Sequence, residues 1–178
     1  MFGAKHLFIP ETLNSIPSPQ LFDHHYDALE ILSDFQNDIM ELFNSFKNST
    51  SLKTTQTLIC NIYNALAIYA QIEHEIFYPA LRKALKQQGL EPDLELTFDP
   101  LLELISQIDF KNPDMALHEQ NVADLESYFS FYAQTQKNEV FAKAAKMQID
   151  MEALGKRIDR RRMELALLKS MEWNCPYP

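Results

Sequence analysis

The sequence predicts an all-α chain: an up-down-up-down four-helix bundle with an N-terminal extended arm and an extra C-terminal helix. Three observations carry that expectation. Apolar residues recur at steps of three and four through most of the chain, the spacing of a buried helix face. Only 3 glycines occur in 178 residues, too few for the left-handed turns of a β-rich or dinucleotide-binding fold. Ser-Pro, Asp-Pro and Asn-Pro pairs mark the places where helices should begin, an N-cap followed by a residue with helical φ and no amide to satisfy.

Residues 1–17 hold Pro10 and Pro17 with little periodicity and predict an arm laid on the bundle. Ser18-Pro19 predicts the start of helix one, which runs to about Lys47 with an inward stripe of Leu21, His25, Ala28, Leu32, Phe35, Ile39, Leu42 and Phe46. The polar turn at residues 48–51 makes helix two its antiparallel neighbour. Helix two extends from near Leu52 toward Gly89, suited to the left-handed position after a helix. Pro79 inside it predicts a kink, because its ring meets the carbonyl four residues back. Asp99-Pro100 predicts a short helix three ending at Ile108, with a start at Pro92 and a bend at Pro100 as the alternative. Asn112-Pro113 opens helix four, which reaches about Met147. Its stripe is His118, Asn121 or Val122, Leu125, Tyr128, Tyr132 and Gln136. A fifth helix, Met151 to Glu172, carries Met151, Leu154, Ile158, Leu165 and Leu168 and should pack outside the first four. The expected division is an arm at 1–17, a bundle at 18–148 and a helix with tail at 149–178.

A chain of 178 residues can bury roughly 70% of its unfolded surface, enough for one core without staples. The net charge of −9 argues against nucleic acid as a partner. No apolar run approaches the roughly 20 residues of a membrane helix, so no membrane association is expected. The opening MFGAKHLFIP is too short and too soon broken by Pro10 for a signal peptide. Cys60 and Cys175 do not make a disulfide framework, which predicts a reducing, cytoplasmic location and Cys60 as a small buried hydrophobe. The final Cys175-Pro176-Tyr177-Pro178 lacks the aliphatic residues of a prenylation signal.

The chemistry concentrates in IYNALAIYAQIEHEIFYPAL, where Ile62, Leu66, Tyr69, Glu73, Ile76 and Ala80 form one inward stripe. A carboxylate in that stripe costs several kcal/mol unless a metal, a histidine or a phenol meets it. In the expected topology His25, Tyr69, Glu73, Phe98, Tyr132 and Gln136 return to one level of the core. The simplest reading pairs Glu73 with His25 and completes its hydrogen bonds with the Tyr69 and Tyr132 hydroxyls. His74 is about 100° off the stripe, and His118 lies roughly 21 Å along the helix from Tyr132, so neither is expected to join them. Lys156, Arg157, Arg160, Arg161 and Arg162 read as a solvated face that also pairs with acids of the body; a dock for an acidic partner is the sharper reading. Tyr128, Phe129, Phe131 and Tyr132 read as core packing rather than a base-stacking platform.

The segment IEHEIFYPAL resembles the second helix of the hemerythrin-like (HHE cation-binding) domain family, which carries His-x-x-x-Glu before a Glu-rich run with Tyr-Pro. Glu73 stands at the Glu place and Tyr69 at the His place. The family's first-helix Asp-His fits His25 through Ala28, Ile31 and Leu32, with His24 at the Asp place and Asp23 shifted by one; His24 inward is the other register. Its third-helix histidine falls on Phe98 through Leu101, Leu104 and Ile105. Its fourth-helix pattern falls on Leu125, Tyr132, Gln136 and Phe141-Ala142, and MEALGKRIDRRRMEL is similar to its terminal helix. The resemblance spans nearly the whole chain and implies a bundle that holds two irons in intact members. Of six ligand positions, only His25 and Glu73 keep a residue of the family's type. Two groups do not hold two irons, and the aromatic replacements have about the bulk to fill the vacated space. The resemblance therefore implies a non-enzymatic interaction or regulatory module with no cofactor, acting on an unidentified protein partner. The alternative is an iron protein for oxygen, nitric oxide or iron handling, with one ferric ion held by His25, Glu73 and tyrosinates of Tyr69 or Tyr132. A third reading is a small-ligand binder, should Phe98 leave the cavity open.

Overall fold

Helical periodicity becomes five helices in the computed structural model, which describes residues 27–90, 99–106, 112 and 114–172. Helix α1, Ala28–Lys47, begins where Asp27 stays extended at φ −71 and ψ 125. The Asp27 carboxylate accepts the amides of Leu29 at 2.8 Å and Glu30 at 3.2 Å, so it caps the helix itself. A helix unbroken from Ser18-Pro19 to Lys47 is thereby corrected; Ser18-Pro19, His24, His25 and the arm at 1–17 lie outside the described residues. The expected stripe Ala28, Leu32, Phe35 and Ile39 is buried, and Gln36 and Phe43 are buried beside it.

Helix α2 covers residues 52–87 in three pieces: an α-helical Leu52–Ile72, a π-helical turn Glu73–Phe77, and an α-helical Tyr78–Gln87. The disturbance expected of Pro79 takes the form of this turn. The Tyr78 amide reaches back five residues to the Glu73 carbonyl, and Pro79, which has no amide to place, sits in the first turn of the following segment. The helix closes as expected at Gly89, φ +69. Leu90 N–H bonds the Leu85 carbonyl at 3.0 Å and Gly89 N–H that of Lys86 at 3.1 Å, the paired bonds of a left-handed helix stop. Nothing lies within 4 Å of a Cβ added there. Gly89→Ala should therefore cost only the left-handed backbone penalty, about 1 kcal/mol, read from the denaturation midpoint. An unchanged midpoint would mean the turn is not held left-handed in solution.

Helix α3 is Asp99–Ser106, with Ile105 buried. Helix α4 covers residues 115–144: Met115–Thr135, a second π-helical turn Gln136–Phe141, and Ala142–Ala144. It starts later than Asn112-Pro113 suggested, because Asp114 takes the capping role and accepts the amides of Ala116 at 3.0 Å and Leu117 at 3.4 Å. Its stripe buries His118, Val122, Leu125, Tyr132 and Gln136; Phe129 is buried while its neighbour Tyr128 is half-buried. Phe131 is 73% exposed, which corrects the expectation that all four aromatics pack in the core.

Helix α5, Met151–Glu172, lies against α1 and α2. It buries Leu154, Ile158 and Leu165, while Leu168 stays 47% exposed rather than joining them. Helix α1 packs on α2 and α4, and α3 packs on α2 and α4. Part of the basic run is spent inside the protein. Arg161 forks onto Glu75, Nε to Oε2 at 2.8 Å, and holds Glu75 below the usual carboxylate range. Arg162 sits over the Phe35 ring at 5.6 Å. Cys60 is disulfide-bonded, which corrects the free thiol expected there, so the cysteines no longer argue for a reducing compartment. Among the described residues every element is helical, and no helix is long and apolar enough to cross a membrane.

Candidate functional site

The polar residues that the stripes send inward meet in one buried cluster at the contact of α1, α2 and α4. Glu73, fully buried, is its centre. Tyr132 donates its phenolic hydrogen to Glu73 Oε2 at 2.7 Å, and the Gln136 amide donates to Oε1. Gln136 Oε1 in turn accepts from the Tyr69 hydroxyl at 2.7 Å and from Gln36 Nε2 at 2.6 Å. Gln36 Nε2 also donates to the Tyr69 oxygen at 2.8 Å. The hydroxyls of Tyr78 and Tyr132 are 2.8 Å apart. Since Tyr132 spends its hydrogen on Glu73, Tyr78 is the donor between them.

Every donor in the cluster therefore points, directly or through one intermediate, at the Glu73 carboxylate. Such an order suits an anion, which only accepts. Burial works the other way. It pushes Glu73 up to about 8, against the downward pull of hydrogen bonds from Gln136, Tyr132 and Tyr69. Among the described residues no ion pair reaches Glu73; Arg161 pairs with Glu75 on the same turn instead. The phenols are held well above their ordinary range, first by burial and then by the Glu73 charge. Burial thus favours the protonated form of Glu73 and the neutral forms of the three phenols.

The backbone is shaped around this cluster. The two π-helical turns begin at Glu73 and at Gln136, the residues that bond each other across α2 and α4. The first turn also brings Tyr78 to the cluster. Five residues of regular α-helix would leave Tyr78 about 140° from Glu73, whereas a π-helical turn of about five residues returns it to the same face.

Of the six positions singled out in the sequence, Tyr69, Glu73, Tyr132 and Gln136 are brought together here. His25 and Phe98 lie outside the described residues. Sequence reasoning missed Gln36 and Tyr78. Gln36 carried a signal, because it stands four residues after Leu32 and three before Ile39, inside the buried face. Tyr78 carried none without the π-helical turn. His118 is buried at the start of α4, where its Nε2 lies 2.8 Å from the Asn112 carbonyl, and His74 is exposed.

As a metal centre the cluster offers, among the described residues, one carboxylate, three phenols and two amides. Among the described residues no group of three or more His, Cys, Asp or Glu side chains could hold a metal ion. Phenols would first have to lose protons that burial makes costly to remove. No family model matches the chain, and no curated protein and no solved structure matches it either.

Proposed function

We propose that this chain is a hemerythrin-like four-helix bundle in which a hydrogen-bonded polar core stands where the intact family keeps two irons. In this reading it acts through its surface, as a non-enzymatic interaction or regulatory module. One observation carries the proposal: the side chains at the positions of lost ligands bond one another, Tyr69 to Gln136 and Tyr132 to Glu73, each at 2.7 Å. Groups in direct contact satisfy their own valences and need no ion between them. The packing of α1 on α2 and α4, and of α3 on α2 and α4, supports the up-down-up-down arrangement, with α5 as the added helix.

The test is metal content. Freshly purified protein should carry no stoichiometric iron, and chelator should leave its helicity and Tm unchanged, because a metal stabilises only by binding the native state. A large fall in Tm with chelator would overturn the proposal. So would a red to purple charge-transfer band after ferric loading that weakens in Tyr69→Phe or Tyr132→Phe, since that band marks iron–tyrosinate bonds.

A further inference from the structure

We propose that the Tyr132–Glu73 pair, once Glu73 is ionised, is a one-electron donor site: an outer-sphere oxidant of the metal-complex class takes an electron from the Tyr132 ring while the phenolic proton passes to the Glu73 carboxylate. A neutral phenoxyl radical remains, sheltered in the core. This goes beyond the interaction-module reading and requires only the metal-free core.

Three observations carry it. First, a buried phenol that lost only its electron would become a cation in an apolar interior, where an unpaired charge is costly. Its oxidation therefore needs a base within reach, and Glu73, in its ionised form, receives the Tyr132 hydrogen on Oε2 at 2.7 Å. Second, the pair is shut off from bulk solvent. Tyr132 is 2% exposed and Glu73 0%, so water and solutes that would quench a radical are kept away. Third, rings lead inward from the surface. An open groove between α1 and α4 is lined by Leu29, Ser33, Lys137 and Phe141 among others. From it Phe141 meets Phe77 at 5.6 Å, Phe77 meets Tyr78 at 5.5 Å, and the Tyr78 hydroxyl lies 2.8 Å from that of Tyr132. An oxidant seated in the groove would be separated from the phenols by two side chains.

The step balances. The Tyr132 O–H bond breaks and an O–H bond forms on Glu73 Oε2. The electron goes to the oxidant, which is reduced by one unit, and the total charge of the pair rises by one as its carboxylate becomes a carboxylic acid. On return of the electron the proton travels back. Among the described residues, Tyr78 from α2 and Gln136 from α4 meet the pair directly, and Tyr69 from α2 and Gln36 from α1 reach it through Gln136. Arg161 of α5 is committed to Glu75.

The experiment uses the full chain, shown metal-free by elemental analysis, at pH 9, where Glu73 is ionised. Photo-oxidised ruthenium tris-bipyridyl serves as the oxidant, with freeze-trapped electron paramagnetic resonance as the readout. A neutral phenoxyl signal is expected that persists in Tyr128→Phe, falls at least tenfold in Tyr132→Phe, and decays at least tenfold faster in Glu73→Gln. Should Tyr132→Phe fail to fold, the wild-type signal in D2O decides: it must lose the splitting from the transferred proton held by Glu73. An undiminished signal in Tyr132→Phe, an unchanged lifetime in Glu73→Gln, or no exchangeable splitting would each overturn the proposal.

Discussion

Replacing Glu73 by Gln should make the protein more stable than wild type at pH 9 and slightly less stable at pH 5. The unfolded chain ionises Glu73 near 4.5, whereas the fold holds its proton up to about 8. Between those values the native state binds the proton and the unfolded state does not. Native stability from this group is therefore full below 4.5 and is lost as pH rises toward 8, by roughly 1.4 kcal/mol per pH unit. The whole window is worth on the order of 5 kcal/mol. Glutamine has the same shape and no charge at any pH, so it removes that slope. It also brings an amide with one hydrogen too many for a cluster built of donors, which should cost about 1 kcal/mol at pH 5. Glu75 works oppositely: Arg161 depresses it, so its contribution is present above 4.5 and fades in acid in both proteins. Urea denaturation of wild type and Glu73→Gln at pH 5, 7 and 9 should give curves that cross. Parallel pH profiles would mean that Glu73 titrates as an exposed carboxylate.

That the carboxylate stands inside was legible from spacing alone. Ile62, Leu66, Tyr69, Glu73 and Ile76 are all buried, and His74, one residue off the stripe, is exposed. The end of α2 was legible too, because a positive φ at Gly89 is what glycine supplies there. What failed to show follows from physical ambiguity. Asp27 carries good capping chemistry inside a run whose apolar spacing continues across it, and spacing alone does not show that a helix starts afresh there. Tyr128 and Phe129 lie one step apart on a wide apolar face, so either satisfies the periodicity, and packing chose Phe129. Gln36 hides because an amide is at home on a surface as well as in a core. Tyr78 depends on a π-helical turn, and no pattern of apolar residues announces one. The pairing of Glu73 with His25 concerns a residue outside those described; among the described residues the carboxylate bonds Tyr132 and Gln136. A stripe says which side chains enter the core, not which of them touch.

Gln136→Leu should be the costliest single change in the cluster. This amide donates to Glu73 and lies within 3.2 Å of the Tyr78 and Tyr132 hydroxyls. It also accepts from Tyr69 and Gln36. Leucine fills similar space but answers none of these, leaving a buried carboxyl, a phenol and an amide each short of a partner. One unsatisfied buried group costs about 1–3 kcal/mol, so a loss of roughly 3–5 kcal/mol is expected. Removing Glu73 as well takes away the group toward which the donors are ordered. Glu73→Leu with Gln136→Leu exchanges a broken polar pair for two apolar side chains in contact, and apolar replacement of a whole buried pair is often close to neutral. The double variant should thus be less damaged than the two single losses together, with a coupling of about 2–3 kcal/mol. The cycle is best measured at pH 5, where Glu73 is neutral in the fold and charge effects do not inflate the single-variant losses. Additive losses would mean that Glu73 and Gln136 do not share a bond in solution, and the ordered chain of donors from Gln36 and Tyr69 to the carboxylate would then be broken at its central link.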